Sequence, residues 1–129
     1  MAKKKRTVVL IEDDRYYRLA YQDGLKEAGF DVFLAGNGKE GLKLVQSEKP
    51  DLILLDLIMP IKNGFETLEE LKMDDKLKEI PVIILSNLGQ DSDIEKAKAL
   101  GSTDYLIKSN FSMKEVIEKI KFNLIAKKH

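Results

Sequence analysis

Short apolar runs recur along the chain and predict five β-strands. Each run is of strand length and rich in Val, Ile and Leu, and apolar and polar residues do not alternate regularly within it. Strands with this composition are typical of a parallel sheet that is covered on both faces. The predicted strands span residues 7–11, 32–35, 52–55, 82–85 and 105–107.

The segments between these runs have the spacing of amphipathic helices. After the last run, for example, Val116, Ile120 and Leu124 share one helical face. Gly29 and Gly101 follow helical segments at positions that favour a left-handed residue. Four helix starts are predicted by a capping residue with Glu three positions later: Asn37 with Glu40, Asn63 with Glu66, Ser92 with Glu95, and Ser112 with Glu115.

A strand followed by a helix, repeated five times, predicts a doubly wound α/β fold of the flavodoxin-like kind. Five helices would flank a five-stranded parallel sheet through right-handed crossovers. The common strand order for five strands is 2-1-3-4-5. This order places the carboxyl ends of strands 1 and 3 side by side, where ligands bind in such folds.

Composition narrows the possible functions. The 129 residues fit one domain, predicted over 6–129 after a basic tail at 1–5. The 22 basic and 22 acidic side chains cancel, so nucleic acid is not an expected partner. The absence of cysteine excludes thiolate chemistry and fits the cytoplasm. No apolar stretch approaches the length that membrane insertion requires.

Carboxylates end two of the predicted strands. Asp56 follows one apolar run, and Glu12 and Asp13 follow another. In the predicted strand order these three side chains meet and repel one another unless a cation is present. Oxygen-only ligands favour Mg²⁺, with Mn²⁺ as a substitute and zinc unfavourable. Asp14 is expected to begin the following helix instead.

A carboxylate can also act as a nucleophile towards phosphorus if nearby groups offset the charge on the transferred oxygens. Ser86 is predicted to end strand 4, and Lys108 follows strand 5. Both side chains should therefore emerge at the same sheet edge as Asp56. Tyr16, Tyr17 and Tyr21 are expected only to pack on or shield the first helix.

These residues resemble the motifs of the response-regulator receiver domain, the phosphoacceptor module of two-component signalling. The resemblance covers nearly the whole chain and is of the stand-alone, chemotaxis-regulator-like type. It is carried by Glu12-Asp13 after VVLI, Asp56 with Met59-Pro60 and Gly64, Ser86 after VIIL, and Tyr105-Leu106-Ile107-Lys108.

The resemblance implies a role for each site residue. Asp56 would accept a phosphoryl group in a Mg²⁺-dependent reaction, with a histidine kinase or a histidine phosphotransfer protein as donor. The implied metal ligands are Glu12, Asp13, Asp56 and the backbone carbonyl of Ile58. Ser86 and Lys108 would contact phosphoryl oxygens, and Ser86 and Tyr105 would form the switch. Such a protein is a phosphoacceptor and not a turnover enzyme.

The sequence departs from the family pattern at several positions. Ser109 replaces the proline that usually follows the lysine, and Asn87 is bulkier than the residue usual after the hydroxyl position. Ile58 and Leu88 are apolar where some relatives carry side chains that orient the hydrolytic water. Slow autodephosphorylation is therefore predicted.

The expected output is a protein bound in trans, with a phosphorylation-dependent homodimer as a further possibility. The readout surface would comprise helix 92–100, strand 5 and helix 112–126. The alternative is a receiver-like module that binds partners constitutively without phosphotransfer. A flavin carrier would need a loop after strand 1 that binds phosphate, and the acidic residues there would repel phosphate. An aspartyl-phosphate hydrolase would need a second acidic residue two positions after Asp56, where the chain has Ile58.

Overall fold

The structure is a computed structural model that describes residues 5–127, with side chains through residue 125. Strands and helices alternate along this part of the chain. The elements are β1 (Thr7–Ile11), α1 (Arg15–Glu27), β2 (Asp31–Ala35), α2 (Gly38–Glu48), β3 (Leu52–Leu55), α3 (Gly64–Met73), β4 (Val82–Ser86), α4 (Asp91–Ala99), β5 (Asp104–Ile107), a 3-10 turn (Lys108–Asn110) and α5 (Met113–Lys127).

The five strands form one parallel sheet in the order β2-β1-β3-β4-β5. The predicted α/β fold and strand order are therefore confirmed. The predicted bounds of β1 and β3 match the structure, and each of the other strands is one residue longer than predicted. Residues 1–4 of the predicted basic tail lie outside the described residues, and Lys5 is exposed.

Two apolar clusters, one on each face of the sheet, form the core. Because successive strand residues point to opposite faces, Leu54 joins Leu25 of α1 and Ile120 of α5, whereas Leu55 joins Leu68 of α3. All five of these side chains are fully buried. Burial of this kind contributes about 1.5–3 kcal/mol for each large aliphatic side chain. Within residues 5–127, no helix is long and apolar enough to span a membrane.

Three predicted helix starts are confirmed. Ser112 forms a full capping box, since its Oγ accepts from Glu115 N at 3.2 Å and its N donates to Glu115 Oε1 at 2.9 Å. Asn63 and Glu66 make the same reciprocal pair at the start of α3. Asn37 caps α2 with its side chain. The structure also confirms the left-handed conformations at both predicted glycines, Gly29 and Gly101.

The predicted start of α4 at Ser92 is wrong. The helix begins at Asp91, and Gln90 occupies the N-cap position without a side-chain cap. Asp91 and Asp93 place two carboxylates in the first turn, where they interact favourably with the helix dipole. Charge in the first turn thus replaces the predicted hydroxyl cap, and Ser92 lies inside the helix.

Candidate functional site

Sheet register brings the predicted carboxylates together. Ile11 of β1 pairs with Leu55 of β3, so the residues that follow these strands lie side by side. The backbone N of Asp56 donates to the carbonyl of Ile11 at 3.0 Å. One carboxylate oxygen each of Glu12, Asp13 and Asp56 lies within 4.8 Å of the other two. This cluster is compact enough for three oxygens to contact one cation.

Two members of the cluster are buried. Glu12 is 1% exposed and Asp56 7%, whereas Asp13 is exposed. Burial raises the pKa of Glu12 to about 7; the negative charge of Asp56 acts in the same direction, and the hydrogen bond from Lys108 opposes both. Asp56 Oδ1 accepts from Leu57 N at 2.8 Å. Glu12 therefore lies in surroundings that disfavour its charged form.

Lys108 is the cation nearest to this cluster among the described contacts. It is buried at the end of β5, donates from Nζ to Glu12 Oε1, and lies 3.6 Å from Asp56 Oδ2. Lys108 also begins the 3-10 turn, and residues 5–127 contain no cis peptide bond, so the peptide to Ser109 is trans. Ser109 is thus accommodated without moving the lysine away from the carboxylates.

A cavity of about 370 Å³ opens beside these groups. Ser86 ends β4 at its wall, is buried, and accepts from Leu88 N at 3.4 Å through its Oγ. Most predicted site residues therefore border the same cavity. Its lining comprises Asp13, Asp14, Tyr17, Asp56, Ile58, Ser86, Asn87, Leu88 and Lys108.

Gly64 allows the loop after β3 to fold back on Asp56. A Cβ at Gly64 would lie 2.2 Å from the carbonyl oxygen of Asp56 and 2.6 Å from Leu57 Cα. Both atoms belong to the backbone, so they cannot move aside as a flexible side chain would. The first residue of α3 therefore has to be glycine for the helix to pack directly beneath Asp56.

Tyr105 does not line the cavity. Its hydroxyl donates to the carbonyl of Leu88 at 2.5 Å, which links β5 to the loop after Ser86. Burial raises the pKa of Tyr105 to about 12, with the negative charges of Asp93 and Asp56 acting in the same direction. The side chain is thus a neutral donor that contacts the loop and not the carboxylates.

Tyr17 is a lining residue that sequence reasoning assigned only to packing. Its ring centroid lies 4.2 Å from Lys108 Nζ. The available signal was the position of Tyr17 in the first turn of α1, three residues after Asp14, whose side chain accepts from the backbone N of Tyr17 at 3.2 Å. That turn lies at the carboxyl edge of the sheet, as the site does.

A five-stranded parallel sheet with an acidic cluster at its carboxyl end agrees with one known protein family. The sequence profile of the response regulator receiver domain matches residues 8–121, and the chain belongs to this family of two-component systems. Receiver domains are phosphoacceptors and not turnover enzymes on external substrates, and they bind Mg²⁺ at an acidic pocket.

Several known proteins are similar to the chain. A probable transcriptional regulator, ycf29 of Porphyra purpurea, is 42% identical over 118 residues. That match covers 92% of this chain but only 56% of the relative, so the chain spans little more than half of that protein's length. The phosphorylated cyanobacterial phytochrome response regulator RcpA is 31% identical, with a TM-score of 0.80 over 92% of this chain and 90% of that one. The Mn²⁺-bound response regulator Rcp1 is 30% identical, with a TM-score of 0.74 over 80% and 81%.

Proposed function

We propose that residues 6–129 form a single receiver domain that accepts a phosphoryl group on Asp56. The donor would be the phosphohistidine of a histidine kinase or a phosphotransfer protein. The observation that carries the proposal is the meeting of Asp56 with Glu12, Asp13 and Lys108 at one edge of the sheet. A purely structural role does not explain three carboxylates gathered beside an accessible cavity.

The donor set fits a magnesium ion. All the candidate ligands are oxygens, and Mg²⁺ prefers a few carboxylates together with water and phosphate. Glu12, Asp13, Asp56 and the backbone carbonyl of Ile58 would hold it, and the Mn²⁺-bound Rcp1 structure supports Mn²⁺ as a substitute. When bound, the ion supplies positive charge that offsets the charge on the phosphoryl oxygens.

The chain's own residues account for the rest of the reaction. A carboxylate oxygen of Asp56 forms the new bond to phosphorus, while the bond from phosphorus to the donor's imidazole nitrogen breaks and its electron pair stays with the imidazole. Lys108 lies 3.6 Å from Asp56, close enough to stabilise negative charge on the transferred group. The Ser86 hydroxyl lines the same cavity and can donate a second hydrogen bond.

The switch would run from Ser86 to Tyr105. A hydrogen bond from Ser86 to the phosphoryl group would draw the loop at Leu88 inwards and break the bond from the Tyr105 hydroxyl. The resulting population shift would alter the surface of α4, β5 and α5, where a downstream protein or a second copy of the chain binds in trans. The cytoplasm remains our proposed location.

The proposed function is tested by intact mass after incubation with acetyl phosphate and Mg²⁺. The wild type should gain the mass of one phosphoryl group, and neither Asp56→Asn nor a sample with EDTA should do so. A folded wild-type protein that gains no mass would contradict the proposal. It would favour the alternative of a constitutive interaction module.

The switch needs a separate test in a phosphorylation-dependent binding assay. Tyr105→Ala should abolish the difference in partner binding between the phosphorylated and unphosphorylated forms. Tyr105→Phe, which loses only the bond to Leu88, separates the role of the hydroxyl from that of the ring. Unchanged phosphorylation-dependent binding by Tyr105→Ala would rule out the switch.

A further inference from the structure

Three tyrosines in the first half of α1 form an aromatic cluster, and one of them, Tyr17, lines the cavity. The rings of Tyr17 and Tyr21 are stacked, with centroids 6.0 Å apart and planes at 16°. Tyr16 meets Tyr17 edge-on at 5.5 Å and 79°. Tyr21 is buried in the core, so it anchors the half-buried ring of Tyr17. The cap bond from Tyr17 N to Asp14 fixes the backbone of the same residue.

The anchored ring forms one wall around the Lys108 ammonium. Nζ lies 4.2 Å from the centroid of Tyr17, which is within the range of a cation–π interaction. Lysine carries its charge on a flexible four-carbon stem, so its position depends on the groups around its end. These groups are the carboxylates of Glu12 and Asp56 and the ring of Tyr17.

The three contacts of the Lys108 ammonium differ in whether they can persist during phosphoryl transfer. Glu12 is a proposed metal ligand, and Asp56 is the proposed site of the new bond to phosphorus. Both carboxylates therefore have a second role that competes with their hold on Lys108. The ring of Tyr17 carries no formal charge and has no second role in the reaction. Its contact with the ammonium can persist throughout.

We propose that Tyr17 is a positioning residue for phosphoryl transfer, whose ring holds the Lys108 ammonium at the cavity wall. This role rests on the proposed function. Tyr17 acts through Lys108 and is not itself a catalytic residue. The competing explanation is that the ring only fills space between α1 and the end of the sheet.

The test compares Tyr17→Phe, which keeps the ring, with Tyr17→Leu, which removes it. We expect Tyr17→Phe to be phosphorylated by acetyl phosphate and Mg²⁺ at close to the wild-type rate. Tyr17→Leu should react about five- to tenfold more slowly, the scale of a partly desolvated cation–π contact. In a Lys108→Met background, Tyr17→Leu should cause no further loss, because the ammonium that the ring positions is absent.

A second readout reports the position of Lys108 directly. Ring currents shift the NMR resonances of protons above an aromatic face upfield, so the ε-methylene protons of Lys108 should be upfield in the wild type and in Tyr17→Phe. The shift should disappear in Tyr17→Leu because the source of the ring current is gone, and a wild type without the shift would overturn the contact between the ring and Lys108. Circular dichroism and urea unfolding establish that each variant is folded, and Tyr17→Met replaces Tyr17→Leu if the latter is not.

The outcomes separate this role from the proposed function. If the wild type reacts and Tyr17→Leu reacts as fast, the positioning role alone is overturned. The positioning role alone is also overturned if Tyr17→Leu slows the reaction by the same factor in the Lys108→Met background as in the wild type. A wild type that gains no phosphoryl group overturns the proposed function and the positioning role together.

Discussion

Ile61 combines an exposed, β-branched side chain with a backbone that favours glycine. Its φ is +69°, and Lys62 N donates to the carbonyl of Pro60 at 2.7 Å, which closes a three-residue turn around it. A left-handed conformation costs a non-glycine residue about 1–2 kcal/mol. Ile61 is 77% exposed, so packing offsets little of this cost. The loop between Asp56 and α3 therefore contains backbone strain.

Replacing Ile61 with glycine should relieve this strain. We expect Ile61→Gly to raise the free energy of unfolding by about 0.5–1 kcal/mol, because the relief exceeds the added entropy of the unfolded chain. The measurement is urea denaturation of the wild type and the variant. Ile61→Val, which keeps the branched Cβ, serves as the control and should gain nothing. A Gly variant no more stable than Ile61→Val would show that the turn is not strained.

The apolar residues at the cavity mouth predict a long-lived aspartyl phosphate. Ile58 and Leu88 line the cavity, and neither side chain offers a polar atom that could orient an attacking water. We expect the phosphoryl group to persist well beyond seconds. Ile58→Asn or Leu88→Gln should shorten its lifetime by about tenfold or more, as expected when a group that orients the water is introduced.

The lifetime is measured by intact mass at intervals after the phosphodonor is removed. Ile125→Asn is a matched control, because Ile125 and Ile58 are each 61% exposed but Ile125 lies on α5, away from the cavity lining. The control should leave the lifetime unchanged. A wild-type lifetime of seconds that neither cavity variant alters would contradict the prediction.

Among the elements, the buried strands were the most predictable from sequence. β1 and β3 are central and apolar on both faces, so their bounds follow from where the apolar run begins and ends. The start of α4 was less predictable, because several polar residues near Ser92 could begin a helix and first-turn charge decided among them. The Tyr17 contact with Lys108 was not predictable, since it joins α1 to the 3-10 turn after β5 through side-chain directions that no sequence spacing encodes.

The capping box of α5 provides a prediction about helix stability. Ser112→Ala removes the hydroxyl that accepts from Glu115 N and should destabilise the protein by about 0.5–2 kcal/mol in urea unfolding. Ser92→Ala is a matched control, because Ser92 is exposed inside α4 and its replacement should change stability by no more than about 0.5 kcal/mol. Equal losses in both variants would argue that Ser112 contributes no specific cap.

In the whole molecule, the residues that stabilise the fold and the residues of the candidate site lie in different regions. The two apolar clusters lie on the faces of the sheet, whereas the carboxylates lie at one edge of it. The formal net charge is zero, yet three carboxylates share one edge with the ammonium of Lys108. Repulsion at this edge lowers stability locally, and the core is extensive enough to tolerate it. A bound cation should therefore stabilise the whole fold.

Magnesium should raise the stability of the wild type by about 1.4 kcal/mol at tenfold excess over its Kd, because it binds the folded state alone. Asp13→Asn removes one carboxylate from the cluster. In EDTA this variant should match or slightly exceed the wild type, by a few tenths to about 1 kcal/mol, and Mg²⁺ should add little to it. The measurement is urea unfolding in EDTA and across a magnesium titration.

Asp14→Asn is the matched control, because asparagine caps a helix as well as aspartate does and Asp14 is the N-cap of α1 and not a member of the carboxylate cluster. It removes the same charge one residue away, so any general effect of net charge appears in both variants. Asp14→Asn should retain most of the stabilisation by magnesium. If both variants lost the stabilisation by magnesium equally, the ion would be responding to the charge of the sheet edge as a whole. If neither variant lost this stabilisation, Asp13 would not be a ligand. Only loss confined to Asp13→Asn supports a specific metal site formed by the ends of β1 and β3.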